Sequence, residues 1–438
     1  MSAPTGWKHV PISDIAEVNP GPSRPLVDEE QVSFVPMASV REGGGGIGAA
    51  ATRRTGEVRR KSYRYFEEGD VIMAKITPCF ENGKIAVARG LRSGRAFGST
   101  EFHVLRPRSG AVDATFLEYY LESPAFTSPA TRSMSGAVGQ QRVPTRFVAD
   151  ALIPLPPLDQ QRAVVSVIDE QLSRLGAGIR SLSMAAKRLS RLRQQALDIL
   201  VGGTASSPSL PSGWSFCRLG DLLMGIDAGK SFKCEERPAR ADEWGVIKVS
   251  AMTWGEFDER ENKTVTTPEQ INPTYEIQPG DLLLSRANTV EYVGAAVFVE
   301  RCRPHLLLSD KSMRLRPAAT ADPRWLRLAL GSTHVRRQIM DKATGTSDSM
   351  RNISQAKVRQ LGIHTPPKDQ QAEIAREWSR LSSQLDSAAR TLTANMARST
   401  QLRRAILVAA FTGRLPVRAV LGHAESMTEL QDLTRTAE

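Results

Sequence analysis

The sequence predicts an α+β protein in which two pseudo-symmetric mixed α/β domains are separated by two long antiparallel coiled-coil helices. Three observations predict it: an internal repeat, two apolar stripes at helical spacing sustained over some forty residues, and a β-rich segment ahead of each stripe. The repeat is read from landmarks in one order. Gly6-Trp7 followed by Asp14-Ile15 is answered by Gly213-Trp214 followed by Asp221-Leu222, 207 residues on. Glu68-Gly69-Asp70-Val71 matches Pro279-Gly280-Asp281-Leu282, at 211. Leu105-Arg106-Pro107 returns as Leu315-Arg316-Pro317, and Pro156-Pro157-Leu158-Asp159-Gln160-Gln161 as Pro366-Pro367-Lys368-Asp369-Gln370-Gln371, both at 210. The span Leu192 to Gly203 matches Leu402 to Gly413. Offsets that drift by so little mark a tandem duplication.

The pattern divides the chain into a first domain at 1–155, a helix at 156–203, a second domain at 204–365, a second helix at 366–414 and a tail at 415–438. In each domain a Gly-Asp pair introduces an apolar run of strand length, Val71 to Ala74 and Leu282 to Ser285. Short amphipathic helices are expected at Ala114 to Ser123 and Pro323 to Lys342, and glycine and proline punctuate the rest. Pro156-Pro157 and Pro366-Pro367 end each domain, and proline suits a first helical turn, where its missing N–H has no partner to lose. Asp159 and Asp369 place negative charge at the positive end of the helix dipole.

The first stripe reads Val164, Ile168, Leu172, Leu175, Ile179, Leu182, Leu189, Leu192, Ala196, Leu200. The second reads Ile374, Trp378, Leu381, Leu385, Ala388, Leu392, Met396, Leu402, Ile406. Steps of three and four over this length are a coiled-coil seam. Gly176 and Gly178 weaken the first helix by about 1 kcal/mol each. Gly203 and Gly413 supply the stops. A helix of about 45 residues spans roughly 68 Å, more than the core of a 150-residue domain requires. Pairing of the two helices is the expected use of that length, and an internal two-fold relation of the domains requires that they run antiparallel.

Composition bounds the function. The chain has 438 residues, a net charge of +11 and four scattered cysteines, Cys79, Cys217, Cys234 and Cys302, so neither a disulfide framework nor a zinc ribbon is expected. Its longest apolar run, Ala405 to Phe411, is too short to cross a bilayer, and Met1 to Val10 lacks the layout of a secretory signal, so a cytoplasmic protein is expected. The positive charge favours an anionic partner, nucleic acid first. Residues 1–158 carry 19 basic against 16 acidic side chains and residues 204–367 carry 22 against 19, so each domain is modestly positive. Gly225 to Ser231 has three residues between its glycines where a phosphate loop needs four, and the six histidines have no metal-ligand spacing. Asn-Pro-Pro-aromatic and Gly-x-Ser-x-Gly are both missing. No catalytic site and no metal site are expected.

The run Pro156 to Arg162, and the run Leu402-Arg403-Arg404-Ala405-Ile406-Leu407-Val408-Ala409-Ala410-Phe411-Thr412-Gly413-Arg414-Leu415, resemble the two helical regions of the specificity subunit of Type I restriction-modification systems. The resemblance covers essentially the whole chain, and the Gly-Trp openings and Gly-Asp strands are similar to that family's target-recognition domains. Two departures stand out: Gly202-Gly203 replaces the Phe-Thr-Gly-Arg-Leu ending in the first copy, and Lys368 replaces an apolar residue before Asp369. The resemblance implies a non-catalytic subunit that reads double-stranded DNA, each domain taking one half of a bipartite, non-palindromic site. It also implies that the helix pair sets the spacing and docks two methyltransferase (modification) subunits, which methylate adenine, joined by ATP-driven restriction (translocase-nuclease) subunits. S-adenosylmethionine, ATP and Mg are then expected on those partners, with no cofactor, metal or membrane for this chain.

Two loop sets per domain are the candidate DNA contacts. The first follows the Gly-Asp strand: Lys75, Thr77 and Asn82, and in the second domain Arg286, Asn288 and Thr289. The second precedes the domain end: Gln140, Gln141 and Arg142, with Ser347, Arg351 and Asn352 as counterparts. Arginine suits guanine, and asparagine or glutamine suits adenine, through paired hydrogen bonds in the major groove. Arg53, Arg54, Arg59, Arg60 and Lys61 are candidate phosphate contacts. The rival reading is a non-catalytic coiled-coil scaffold with two β-rich protein-binding modules. An enzyme with an unrecognised site stands third.

Overall fold

The structure is a computed structural model and describes residues 7–137, 139–202, 211–252, 256–267, 269, 271–347 and 350–415. The expected tail at 415–438 lies, apart from Leu415, outside the described residues. Two long helices, Leu158–Leu200 and Lys368–Phe411, dominate the chain. The molecule divides into two compact units, the first holding residues 1–182 and 394–438 and the second 183–393. Each unit therefore combines a mixed α/β module with half of each long helix.

In the first unit, the strands Ala16–Val18, Phe102–Pro107, Val71–Ala74 and Ile85–Val87 form an antiparallel sheet in that order. Val71 to Ala74 are all buried because both faces of this sheet are covered. Side chains alternate between the two faces with the period of a strand: Val71 and Met73 enter one core, and Ile72 enters the other. The first core is closed by the helix Ala114–Glu122 and by the two long helices, through Phe116, Leu117, Val164, Ile168, Leu407 and Phe411. The second core lies against a sheet ordered Ala51–Arg54, Gln31–Val35, Arg95–Gly98, Arg64–Glu67, whose central pair is parallel. The second unit repeats the plan with Leu223–Ala228, Ser312–Pro317, Leu282–Ser285 and Ala296–Phe298, and here Leu282 and Leu284 face one core and Leu283 the other.

The Gly-Asp landmark is a turn with a clamp. Gly69 and Gly280 have φ of 86° and 97°, a left-handed conformation that glycine adopts without strain. Asp70 accepts from the Glu67 N–H at 2.7 Å and from Arg106 Nε and Nη2 at 2.9 and 2.8 Å. In the second unit Asp281 accepts from the Gln278 N–H and from Arg314 Nε, each at 2.9 Å.

Within each unit the start of one long helix lies with the end of the other, as two helices of opposite direction require. In the first unit Phe411 packs edge-on against Phe116 and Tyr120, with ring centroids 5.1 and 5.4 Å apart. Arg403 Nη2 donates to the buried Glu122 at 2.5 Å. In the second unit Leu197, Val201, Leu328 and Trp378 form a cluster, Arg193 pairs with Asp386, and Asp198 accepts from the N–H and Oγ1 of Thr333, each at 2.7 Å.

Three expectations need correction. The segment Pro323 to Lys342 is two helices, Pro323–Gly331 and Thr333–Lys342. Ser332 between them is extended (φ −64°, ψ 150°), and its side chain accepts from the Val335 N–H at the start of the second helix. Ser123 breaks the first unit at the corresponding place, ahead of the helix Pro124–Ser133. The seam is not buried throughout: Leu192 and Leu402 are 53% and 52% exposed, while Leu197, Val201, Leu407, Ala410 and Phe411 are buried. The helix ends pack on the modules rather than following the repeat. Finally, Gly413 has the expected left-handed conformation (φ 72°), but in the first copy it is Gly202 (φ 68°) that adopts it, and Gly203 lies outside the described residues.

Candidate nucleic-acid interface

In the first unit the buried strand Val71–Ala74 leads into a loop anchored by Phe80, which is 1% exposed. A second stretch, Gln140 to Val143, crosses this loop. The Val143 N–H donates to the Lys75 carbonyl at 2.8 Å, and the Thr77 N–H to the Gln141 carbonyl at 3.0 Å. In return the Gln141 N–H donates to Thr77 Oγ1 at 3.2 Å, and Ile76 and Arg142 form an antiparallel bridge. Residues some sixty positions apart in sequence thus share one platform. Gln140 is exposed, and so is Asn82, whose amide donates to Glu42 at 2.8 Å.

Arg142 is engaged within the protein. Its Nε and Nη2 donate to the two oxygens of Glu101 at 2.9 Å each, and its Nη1 donates to the Gln140 carbonyl at 3.0 Å. Lys75 Nζ lies 3.9 Å from the same carboxylate. Burial lowers the Lys75 ammonium below its ordinary pKa, against the pull of Glu101. The Arg142 hydrogen bonds, joined by the charges of Lys75 and Arg64, outweigh burial and hold Glu101 below the usual carboxylate range.

The second unit builds the same platform as a three-stranded sheet of Ala287–Asn288, Met350–Asn352 and Thr344–Ser347. Asn288 stands opposite Arg351 and Ala287 opposite Asn352, and the Ile353 N–H donates to the Arg286 carbonyl at 3.0 Å. Arg286 and Asn352 are exposed and Arg351 is half-buried. Asn288 differs from expectation. It is 8% exposed, its amide donates to Ser285 Oγ at 3.3 Å, and its oxygen accepts from the Thr289 N–H at 2.9 Å. Asn288 therefore holds the loop from inside, and the Thr289 carbonyl accepts from the Tyr292 and Val293 N–H groups. Ser347 belongs to the outer strand by its backbone, and its side chain lies outside the described residues.

The five candidate phosphate contacts sit on or beside the Ala51–Arg54 strand of the other sheet. Arg53, Arg54, Arg59, Arg60 and Lys61 are all exposed. Arg59 Nε is 2.6 Å from Asp28, with Arg60 at 3.9 Å from the same carboxylate and Arg54 at 3.8 Å from Glu29. Such exposed pairs are weak, so these cations stay available to an anion.

Sequence reasoning missed Glu101. A lone carboxylate has no motif, but the repeat places Lys311 at its offset of 210. The backbone agrees: the Lys75 N–H donates to the Glu101 carbonyl at 2.9 Å, and the Arg286 N–H to the Lys311 carbonyl at 2.8 Å.

Among the described residues no group of three or more His, Cys, Asp or Glu is placed to hold a metal ion, and no helix is long and apolar enough to cross a membrane.

Comparison with known proteins agrees with this architecture. A family profile described as a Type I restriction modification DNA specificity domain matches residues 4–179. The EcoEI specificity subunit of Escherichia coli is 28% identical over 85% of this chain and 77% of its own length. The EcoAI specificity subunit, also of Escherichia coli, is 38% identical over 37% of this chain, which is 27% of that protein. Among solved structures, a chain from work on complex assembly and conformational transition of the type I R-M system aligns with a TM-score of 0.76 and 22% identity, covering 95% of this chain and 100% of that one. The HsdS subunit from Thermoanaerobacter tengcongensis aligns with a TM-score of 0.53, again at 22% identity, over 95% and 99% of the two chains. The duplicated module-and-helix plan, the matched domain and these relatives converge: residues 4–179 match a Type I restriction modification DNA specificity domain, and the chain is similar over most of its length to Type I restriction enzyme specificity subunits.

Proposed function

We propose that this chain is the non-catalytic DNA-recognition subunit of a Type I restriction-modification complex, reading a bipartite asymmetric site in double-stranded DNA. One observation carries the reading. Both units join the segment after the Gly-Asp strand to the segment before the module's end through the same backbone bond, Val143 to Lys75 and Ile353 to Arg286. The two platforms are copies, but their side chains differ: Lys75, Thr77, Gln140, Gln141 and Arg142 against Arg286, Arg351 and Asn352. Copied platforms with unlike side chains suit two unlike half-sites on a duplex. The long helices set the distance between half-sites and dock two methyltransferase subunits, with restriction subunits joining for cleavage. S-adenosylmethionine, ATP and Mg belong to those partners, and the assembly works in the cytoplasm.

The test is methylation-motif sequencing with the chain assembled on its methyltransferase subunits. Gln141→Ala is expected to relax one half-site and Asn352→Ala the other, with the spacer unchanged. A single substitution that altered both half-sites, or neither substitution altering any, overturns the assignment of one half-site to each platform.

A further inference from the structure

We infer that Glu101 is a positioning residue that aims Arg142 at a guanine in the first half-site, and that the position shared by Glu101 and Lys311 makes the two half-sites differ. The inference rests on the DNA-reading function proposed above and names the residues that discriminate.

The hydrogen-bond geometry carries it. A guanidinium has five N–H groups in a fixed planar fork. Glu101 takes the side edge, Nε and Nη2, and the Gln140 carbonyl takes one N–H of Nη1. These three bonds leave one N–H on Nη2 and one on Nη1 for a ligand. That pair matches O6 and N7 of guanine in the major groove. The Arg142 side chain keeps 42% of its surface although three of its N–H groups are engaged within the protein. A free arginine loses several rotatable bonds on contact, whereas one already held at two edges loses fewer. Lys75, beside the same carboxylate, leaves the cluster net positive, which suits a site that faces phosphate-flanked bases.

The second unit departs at this point only in side chains. The Lys75–Glu101 backbone bond is repeated as Arg286–Lys311, but the carboxylate has become an ammonium. The place of Arg142, one residue before the Val143 and Ile353 donors, is taken by Asn352. A lysine has no acceptor with which to hold an arginine fork, and asparagine pairs with adenine. The same frame therefore presents a fixed arginine in one unit and an asparagine in the other.

The experiment uses the full chain assembled with its methyltransferase subunits and measures methylation rates on duplexes with every base pair of both half-sites varied singly. In Glu101→Gln, discrimination at one guanine of the first half-site is expected to fall about tenfold or more, with the second half-site's preferences unchanged. Arg142→Lys, which keeps the charge and loses the fork, is expected to lose discrimination at the same base pair, and it tests the inference even where Glu101→Gln folds poorly. Adding Glu101→Gln to Arg142→Lys is expected to change nothing further. Discrimination kept within about twofold in both single variants overturns the inference while leaving the proposed function standing. A further loss in the double variant also overturns it, because Glu101 then acts on DNA without Arg142. An unaltered complex that methylates regardless of sequence removes the proposed function itself.

Discussion

The N–H of Asp113 donates to Gln161 Oε1 at 2.8 Å, fastening the first turn of a long helix to the start of a module helix. Gln161 is 1% exposed, and its Nε2 donates to the Pro156 and Ala111 carbonyls at 2.8 and 3.3 Å. Asp113 in turn caps the module helix by accepting from the Thr115 and Phe116 N–H groups. The second unit repeats every bond: the Asp322 N–H donates to Gln371 Oε1 at 2.7 Å, and Gln371 Nε2 donates to the Pro366 and Thr320 carbonyls. The second glutamine of each Pro-Pro-x-Asp-Gln-Gln run is thus the bolt between helix and module.

Gln161→Leu leaves one buried N–H and two carbonyls without this partner. Each orphaned group costs roughly 1–3 kcal/mol, so a loss of about 3 kcal/mol is expected as a lowered urea midpoint. Gln371→Leu should do the same in the second unit. A change within 0.5 kcal/mol, as an order of magnitude for surface sites, would show that the bolt carries no weight.

Glu118 is 9% exposed, and burial together with the neighbouring Glu122 charge pushes its carboxyl up to about 8, despite a Val87 N–H at 3.3 Å and the charges of Arg89 and Arg403. The folded state therefore holds a proton that the unfolded chain releases above the ordinary carboxyl pKa of 4.5. The stability this proton linkage contributes is full below that value and is lost as pH rises toward 8. Glu118→Gln should remove the loss, raising Tm more at pH 8 than at pH 5. An equal shift at both would refute the linkage.

Inserting four helical residues beside Gly176 adds about 6 Å of helix, close to two base-pair steps. The expected result is a changed spacer between unchanged half-sites, read by methylation-motif sequencing. Altered half-sites with the old spacing would refute the ruler role.

Each module carries only a modest net positive charge, 19 basic against 16 acidic side chains in residues 1–158 and 22 against 19 in residues 204–367, so its long-range attraction to DNA is weak. The chain alone is expected to bind its site weakly and to gain affinity on adding methyltransferase subunits, measured by fluorescence anisotropy. Sub-micromolar, site-specific binding by the chain alone, indifferent to partners, would contradict this.

Several features were legible as pattern because each depends on local physics. The Val71 to Ala74 and Leu282 to Ser285 strands follow from Gly-Asp turns and short apolar runs, and the long helices follow from sustained spacing between a proline start and a glycine stop. The repeat also located both platform segments in each domain. It could not reveal that Asn288 turns inward or that Leu192 and Leu402 stay exposed, because burial is set by partners distant in sequence.

By itself, then, the sequence determined the duplication, the order of modules and helices, and the two loops to watch in each module, since hydrophobic period, turn residues and helix stops act over a few neighbours. Only the tertiary structure decided that Gln161 bolts to Asp113, that Glu101 fixes Arg142, and that Lys311, aligned by the repeat, stands at the same backbone bond in the second unit. Those pairings join residues 41 to 48 positions apart or compare sites in separate units. Chain folding brings such residues within hydrogen-bond reach, where distance and direction, which no linear spacing encodes, decide the partner.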